Sequence, residues 1–473
     1  MKLSFWGAAR QVSGSMFLLE FNDEYRVLVD CGTDLEKENS KNTESYEYGI
    51  FPFDPTLINL VILTHAHIDH SGQIPNLYKE GYEGQVLCTK PTMDLTEILL
   101  YDAASLNQKK FKAINDSKKR SKKRKGVDSQ TLYLDRQVKE SVDNFVTIPF
   151  NQRFKFKDDG YVTFIQAGHL LGAAHVVIEW FDEGEKKSIC FSGDIGRKDY
   201  PLLVDPQRVP QVDYLVTETT YGNRFHTDEN KPMELLSDII TKTCIDISGR
   251  LIIPAFSVGR TQAMLYILNK IYSEKGIKPV KVFTDSPLAK ASTKIHEKYT
   301  RQLNKAAQEF FEENESLFDF ENLVFLESNE ASKAVSNHAE PCIIISSSGM
   351  VQGGRIEHHI EQNISNPYAT ILMVGYASEG TLGWKLLNGE RTELKINGKN
   401  HPVHANIQKI DVFSGHGDLN DLIRFVKNQE PQKTKKVFLV HGEYQSMIDF
   451  KEKIQSEGFQ DIEIPAKGET FEL

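Results

Sequence analysis

The densest chemistry in the sequence is THAHIDH at residues 64–70, which puts His65, His67, Asp69 and His70 within six positions. Imidazoles and carboxylates without thiolates suit a hydrolytic zinc site, with manganese or iron as alternatives. One open catalytic zinc takes three protein ligands and keeps a position for water. Four donors on one short loop exceed that number, which points to two metals. Two sites need further donors from elsewhere. The candidates are His169 and His175 in QAGHLLGAAH (166–175), Asp194 in FSGD (191–194), His416 in FSGHGD (413–418) and His441 in VHGE (440–443). Each alone has a bland reading: a packed or surface histidine or, for Asp194, a helix cap. Together, in this order after the HxHxDH run, they form a set.

Such residues need rigid supports. Short apolar runs recur, each closed by a polar or glycine-rich turn: 24–32, 57–67, 187–194, 212–220, 249–257, 280–287, 341–349, 369–377 and 435–443. They read as buried strands. Helical patterns over 259–276 and 418–429 fall between some of them, which makes an α/β chain. The first 30 residues differ and read as consecutive antiparallel strands. Nearly every run delivers a polar residue at its end: His65, Asp194, Glu218, Ser257, Asp285, Ser346 and His441. Ligands of open α/β sheets bind at the carboxyl ends of strands.

At this point the chain resembles the metallo-β-lactamase superfamily, through Asp30, the HxHxDH run, His169, Asp194 and His441. Within it the chain looks like the β-CASP nucleases, through Glu218 in ETTYG, His416 in FSGHGD and His441 in LVHGE. The strings PAFSVGRTQ (254–262), SSSGMVQGGR (346–355) and GYASEGTLG (375–383) resemble the insert of bacterial relatives of the mRNA 3′-end cleavage endonuclease. The resemblance implies an αββα metallo-β-lactamase sandwich built from about 1–221 and 391–473. An α/β β-CASP domain over about 222–390 is inserted, with substrate passing between the two. Carried over by position, it implies a first zinc on His65, His67 and His169, and a second on Asp69, His70 and His441. Asp194 would bridge the two, and Asp30 would orient ligands from behind. The implied reaction is RNA phosphodiester hydrolysis by a two-metal hydroxide mechanism. Asp69, Asp194, Glu218 and His416 would be its catalytic residues, with His416, held by Glu218, as the acid for the leaving 3′ oxygen.

Relatives usually carry another residue where His175 stands, so it reads as a packing or substrate-side residue. SSSGMVQGGR sits between a strand and a helix, and such loops present backbone N–H groups to anions. No GK[ST] follows, so it is not a P-loop. The expected phosphate-side residues are Ser257, Arg260, Ser347, Ser348 and Gly349. A guanidinium suits bidentate phosphate contact. The adjacent His358 and His359 are expected to be structural.

The balance of residues limits the alternatives. In 473 residues, 40% are hydrophobic and 26% charged, which gives a sizeable core and rules out global disorder. Five cysteines are scattered with no CxxC pair, against both a disulfide framework and a cysteine zinc knuckle. No apolar stretch reaches membrane-spanning length and no signal peptide opens the chain, so the expectation is cytoplasmic with no membrane partner. A homodimer is compatible with such a chain. The net charge of −10 argues weakly against a polyanionic partner, but residues 118–125 (KKRSKKRK) carry seven cations in eight positions. That run reads either as a solvated loop tip or as an electrostatic arm for RNA. The expected function is a zinc-dependent ribonuclease acting on single-stranded RNA, with manganese as an alternative metal. The competing readings are a thioester or lactone hydrolase and a DNA nuclease on the same fold. A long insert with phosphate-suited loops disfavours the first. The histidine of LVHGE disfavours the second, since it marks the RNA branch by resemblance.

Overall fold

The opening strand Lys2–Gly7 turns back on Met16–Glu20, and that strand on Arg26–Val29, all antiparallel as the sequence predicts. The register sets Leu3 opposite Leu19 and Phe5 opposite Phe17, so one face of each strand is apolar. The strands Leu60–Ile62, Gln85–Cys88 and Phe145–Thr147 then add in parallel. The final strand Glu469–Glu472 pairs on the other side of Lys2–Gly7, completing a seven-stranded sheet. These features come from a computed structural model, which describes residues 1–35, 50–120, 132–226, 231–375, 377, 379–389 and 392–473. The cationic run at 118–125 lies largely outside them. Residues 121–125 are not described, and of 118–120 only the backbone, at the end of the helix Lys90–Arg120, is described. Among the described residues no helix is long and apolar enough to cross a membrane.

The chain divides into two compact units. The first comprises residues 1–198, 205–225 and 416–473. Its second seven-stranded sheet runs Ile462–Glu463, Lys436–Val440, Tyr214–Glu218, Glu185–Phe191, Ala174–Asp182, Gly160–Gln166, Phe154–Lys157. The inner faces of the two sheets share one core that includes Leu3, Phe5, Phe17, Phe164, Phe191 and Phe438. On the outside, Leu422 and Phe425 of the helix Leu419–Val426 and Met447 and Phe450 of Tyr444–Ser456 pack on the second sheet. Ile74 and Leu77 of the helix Ile74–Lys79 pack on the first. Helix, sheet, sheet, helix is the αββα order expected from the sequence.

The second unit comprises residues 199–204 and 226–415. Its six-stranded sheet is parallel throughout, in the order Leu323–Phe325, Lys281–Asp285, Cys342–Ser346, Arg250–Pro254, Ala369–Met373, Asn406–Lys409. The inner strands Cys342–Ser346 and Ala369–Met373 are buried along their whole length and Arg250–Pro254 nearly so, whereas the edge strand Asn406–Lys409 is partly exposed. The sequence division assigns residues 391–415 to the returning segment. In the structure Asn406–Lys409 is a strand of this parallel sheet, because its pairing with Ala369–Met373 continues the ladder.

Phe438 is fully buried between Phe5 and Phe471, with ring centroids at 5.1 and 5.0 Å. It thus couples the re-entering segment to both chain ends. Phe438→Ala should cost about 3–5 kcal/mol in denaturant unfolding of the first unit, and Phe438→Leu clearly less.

Candidate metal centre

Each chemically active side chain sits at the end of a strand or in the turn that follows. His65 and His67 follow Leu60–Ile62, and Asp69 and His70 lie on the short helix Ile68–Ser71. Asp194 follows Glu185–Phe191, Glu218 ends Tyr214–Glu218, and His441 follows Lys436–Val440. His169 lies in the turn between Gly160–Gln166 and Ala174–Asp182. The loop bearing His70 is drawn in tightly: Cys31 N–H donates to His70 O at 2.7 Å, and Ser15 N–H to Asp69 O at 2.8 Å. A Cβ at Gly32 would lie 1.7 Å from Asp69 O, so only glycine fits.

Asp194 is the centre. It is 2% exposed, and its two oxygens face different histidines. Oδ2 lies 3.5 Å from both His65 Nε2 and His169 Nε2. Oδ1 lies 3.3 Å from His70 Nε2 and 3.6 Å from His441 Nε2. His67 Nδ1 joins the first group, 3.2 Å from His65 Nε2 and 3.1 Å from His169 Nε2. Asp69 Oδ2 joins the second, 3.4 Å from His441 Nε2. Two sets therefore could each hold a cation: His65, His67, His169 and Asp194, and Asp69, His70 and His441. The structure brings together all seven residues expected as ligands.

Hydrogen bonds behind the rings fix which nitrogen faces inward. Thr64 Oγ1 donates to the Asp30 carboxylate at 2.8 Å, so towards His65 Nδ1, at 3.1 Å, it can only accept. His70 Nδ1 donates to Asp30 Oδ2 at 2.7 Å. Thr220 Oγ1 donates to His441 O at 3.1 Å and accepts from His441 Nδ1 at 3.0 Å. With Nδ1 held by these partners, His65, His70 and His441 each turn Nε2 towards Asp194. Burial opposes a charge on His70 and His441, but Asp194, with Asp30 beside His70 and Asp69 beside His441, outweighs it and raises both rings. Asp194 Oδ1, although buried, accepts no hydrogen bond from the described residues. Ring nitrogens gathered 3.1–3.6 Å from one another and from a buried carboxylate are a donor set that fits divalent cations. Burial also pushes His65 well below the usual imidazole value, and His67 down to about 4, which favours the neutral, ligating form.

His416 and Glu218 form a third group with Asp194. Glu218 is already engaged: Oε1 accepts Ile195 N–H at 2.6 Å and His416 Nδ1–H at 3.2 Å, and Oε2 accepts Thr220 N–H at 3.2 Å. His416 Nε2 stands 3.9 Å from Asp194 Oδ2, and its side chain is 20% exposed while those of His65, His70, His169 and His441 are buried. Burial opposes a charge on His416, but Glu218, then Asp194 and Asp69, outweigh it and raise the ring to about 9.

The expected phosphate-side residues gather in the second unit, at the carboxyl ends of Arg250–Pro254 and Cys342–Ser346. Ser257 is buried, its hydroxyl 2.8 Å from Ser286 Oγ. Ser347 and Ser348 are half-buried, and Ser348 Oγ bonds Gln352 N and O. Arg260 donates Nε–H to Phe413 O at 3.1 Å, and its guanidinium lies over Phe256. Gly349 is so close that a Cβ would meet Arg260 at 3.3 Å. Arg355 is bound internally, to Asp285 at 2.7 Å and to the Leu326 and Glu327 carbonyls. His359 is buried on Asp285 at 2.6 Å, and His358 meets Ser336. Thr64 and Thr220 escaped the sequence reading, since a single threonine beside a histidine has no diagnostic spacing.

Three domain families match the chain: the metallo-beta-lactamase superfamily domain over residues 18–190, the Beta-Casp domain over 261–386, and the Zn-dependent metallo-hydrolase RNA specificity domain over 400–465. A ribonuclease of Thermus thermophilus is 31% identical over 99% of this chain and 99% of its own length. Transcription termination factor FttA of Methanosarcina mazei is 30% identical over 96% of this chain and 69% of its own. An RNase J-like protein of Methanocaldococcus jannaschii is 31% identical over 94% of this chain and 93% of its own.

Thr220→Val keeps the shape and removes the hydroxyl that orients His441. Metal affinity, measured by chelator competition, should fall about 10- to 100-fold with an unchanged melting midpoint.

Proposed function

The chain belongs to the β-CASP branch of the metallo-β-lactamase superfamily, and from that premise we infer that it is a metal-dependent ribonuclease working at the Asp194 cluster. The proposed resident metals are two zinc ions, with manganese as the alternative. His65, His67 and His169 would hold one, Asp69, His70 and His441 the other, and Asp194 would bridge them. The observation that carries this reading is the split of Asp194, whose Oδ2 faces His65 and His169 while Oδ1 faces His70 and His441. Asp30 stands behind, tying His70 to Thr64. When bound, such a pair supplies Lewis acidity and a nucleophile competent at neutral pH.

The protein's own part in the reaction is to hold phosphate charge and move a proton. His416 is proposed to protonate the leaving 3′ oxygen from Nε2. Glu218, on Nδ1–H, fixes the ring orientation and favours the charged form. Its partial exposure leaves it open to substrate. In the second unit, Ser257, Ser347, Ser348, Gly349 and Arg260 are proposed to meet backbone phosphates. Arg260 also donates Nε–H to Phe413 O. The proposed substrate is single-stranded RNA, and the proposed location is the cytoplasm. The RNA specificity domain and the ribonuclease among the relatives favour this reading over a thioester, lactone or DNA hydrolase.

The test is cleavage of a uniquely end-labelled single-stranded RNA, bearing 5′-phosphate or 5′-hydroxyl, with the matching DNA alongside. Zinc-dependent cleavage of RNA and not DNA is expected. Equal cleavage of both, or of neither, contradicts the reading. His416→Ala should retain all its metal and lose about 10²–10⁴-fold in rate. Loss of a metal from that variant would move His416 into the ligand set.

A further inference from the structure

One buried histidine is not used by the chemistry above. His175, 0% exposed, stands at the start of Ala174–Asp182 and donates Nδ1–H to Ser192 O at 2.6 Å. Its ring packs on Phe425 of the helix Leu419–Val426, with centroids 4.6 Å apart. Its Nε2 has no hydrogen-bond partner among the described residues. Burying a polar atom without a partner is costly, and a phenylalanine ring would occupy similar space without that cost. What histidine adds at this position is the Nδ1–H.

Its acceptor is a node. Ser192 N–H donates to Val216 O at 2.8 Å, Ser192 Oγ accepts Glu218 N–H at 3.0 Å, and the same hydroxyl donates to Gly193 O at 2.6 Å. Asp194 is two residues further on. Between them Gly193 has φ +55°, and a Cβ there would come within 2.9 Å of Thr64 Cβ, so the path from Ser192 to Asp194 is closely confined. Glu218, in turn, is the residue on which His416 rests. The helix carrying Phe425 begins three residues after His416, with Asp418 capping it by accepting from Asn420 and Asp421 N–H.

We propose that His175 is a positioning residue of this centre: through its hydrogen bond to Ser192 O it fixes the turn that aims Asp194 and the strand end that carries Glu218. The proposal rests on the reading of Asp194 as a metal-bridging carboxylate. The role is invisible in spacing, since His175 stands in none of the candidate ligand groups and acts through one carbonyl.

The experiment compares wild type, His175→Phe, His175→Asn and Ser192→Ala for zinc affinity by chelator competition, for kcat and KM on a short RNA, and for melting midpoint. Phenylalanine keeps the ring against Phe425 and removes the donor, whereas asparagine restores an N–H near Nδ1. His175→Phe should lose about 10- to 100-fold in zinc affinity or kcat, with KM within about twofold. His175→Asn should recover most of that loss. Ser192→Ala keeps the carbonyl but cuts the links to Glu218 N–H and Gly193 O, so it should lower kcat. It tests the same node should His175→Phe fail to fold. Wild-type zinc affinity and kcat in His175→Phe would overturn the proposal, as would an asparagine variant as impaired as the phenylalanine one, or an unchanged kcat in Ser192→Ala. A wild-type protein that neither binds zinc nor cleaves RNA would overturn the functional reading, and this proposal with it.

Discussion

Burial of the Asp194 carboxylate among imidazoles is the constraint on which the first unit is built. A carboxylate taken out of water without compensation costs several kcal/mol. Here it is 2% exposed, one oxygen accepts no hydrogen bond from the described residues, and four ring nitrogens stand 3.3–3.6 Å away. Neutral imidazoles supply too little positive charge to offset it, and protonating all of them would set like charges a few ångströms apart. The proposed pair of divalent cations would resolve both problems. It would satisfy the carboxylate from two sides and give the inward-facing ring nitrogens a partner.

Everything behind the cluster serves to hold that otherwise repulsive arrangement. The two sheets bring strand ends from opposite parts of the chain to one edge, so residues 65–70, 169, 194, 218 and 441 meet although they are far apart in sequence. Short hydroxyl and carboxylate contacts then select ring orientation: Thr64 for His65, Asp30 for His70, Thr220 for His441 and Glu218 for His416. The helix Leu419–Val426 and the chain near Ile195 place the last of these, since Gly417 N–H donates to Ile195 O at 2.8 Å and Gly196 bridges His416. The large apolar core shared by the sheets provides the rigidity that side-chain hydrogen bonds alone would not.

The sequence made the metal set legible because histidine is scarce, the HxHxDH spacing is tight, and an apolar run leads straight into it. Asp30, Asp194 and His441 were readable mainly through family resemblance, since an aspartate or histidine after a strand is common. The pairing of His416 with Glu218 likewise came from resemblance, because nothing in spacing brings positions 218 and 416 together. Thr64, Thr220 and the Ser192 node were not legible at all, for their action depends on the path of neighbouring backbone. The pairing of Asn406–Lys409 with the parallel sheet was not legible for a similar reason: strand partners are set by tertiary pairing, and a run such as NIQK carries no sign of which sheet it joins.

Native mass spectrometry of the zinc-reconstituted chain and of Asp194→Asn tests the two-cation centre most directly. The bridging arrangement predicts two zinc ions per wild-type chain and weaker retention of both in the variant, because one carboxylate serves both positions. A wild-type chain that takes up a single ion, or a variant that retains both as tightly as wild type, would contradict it.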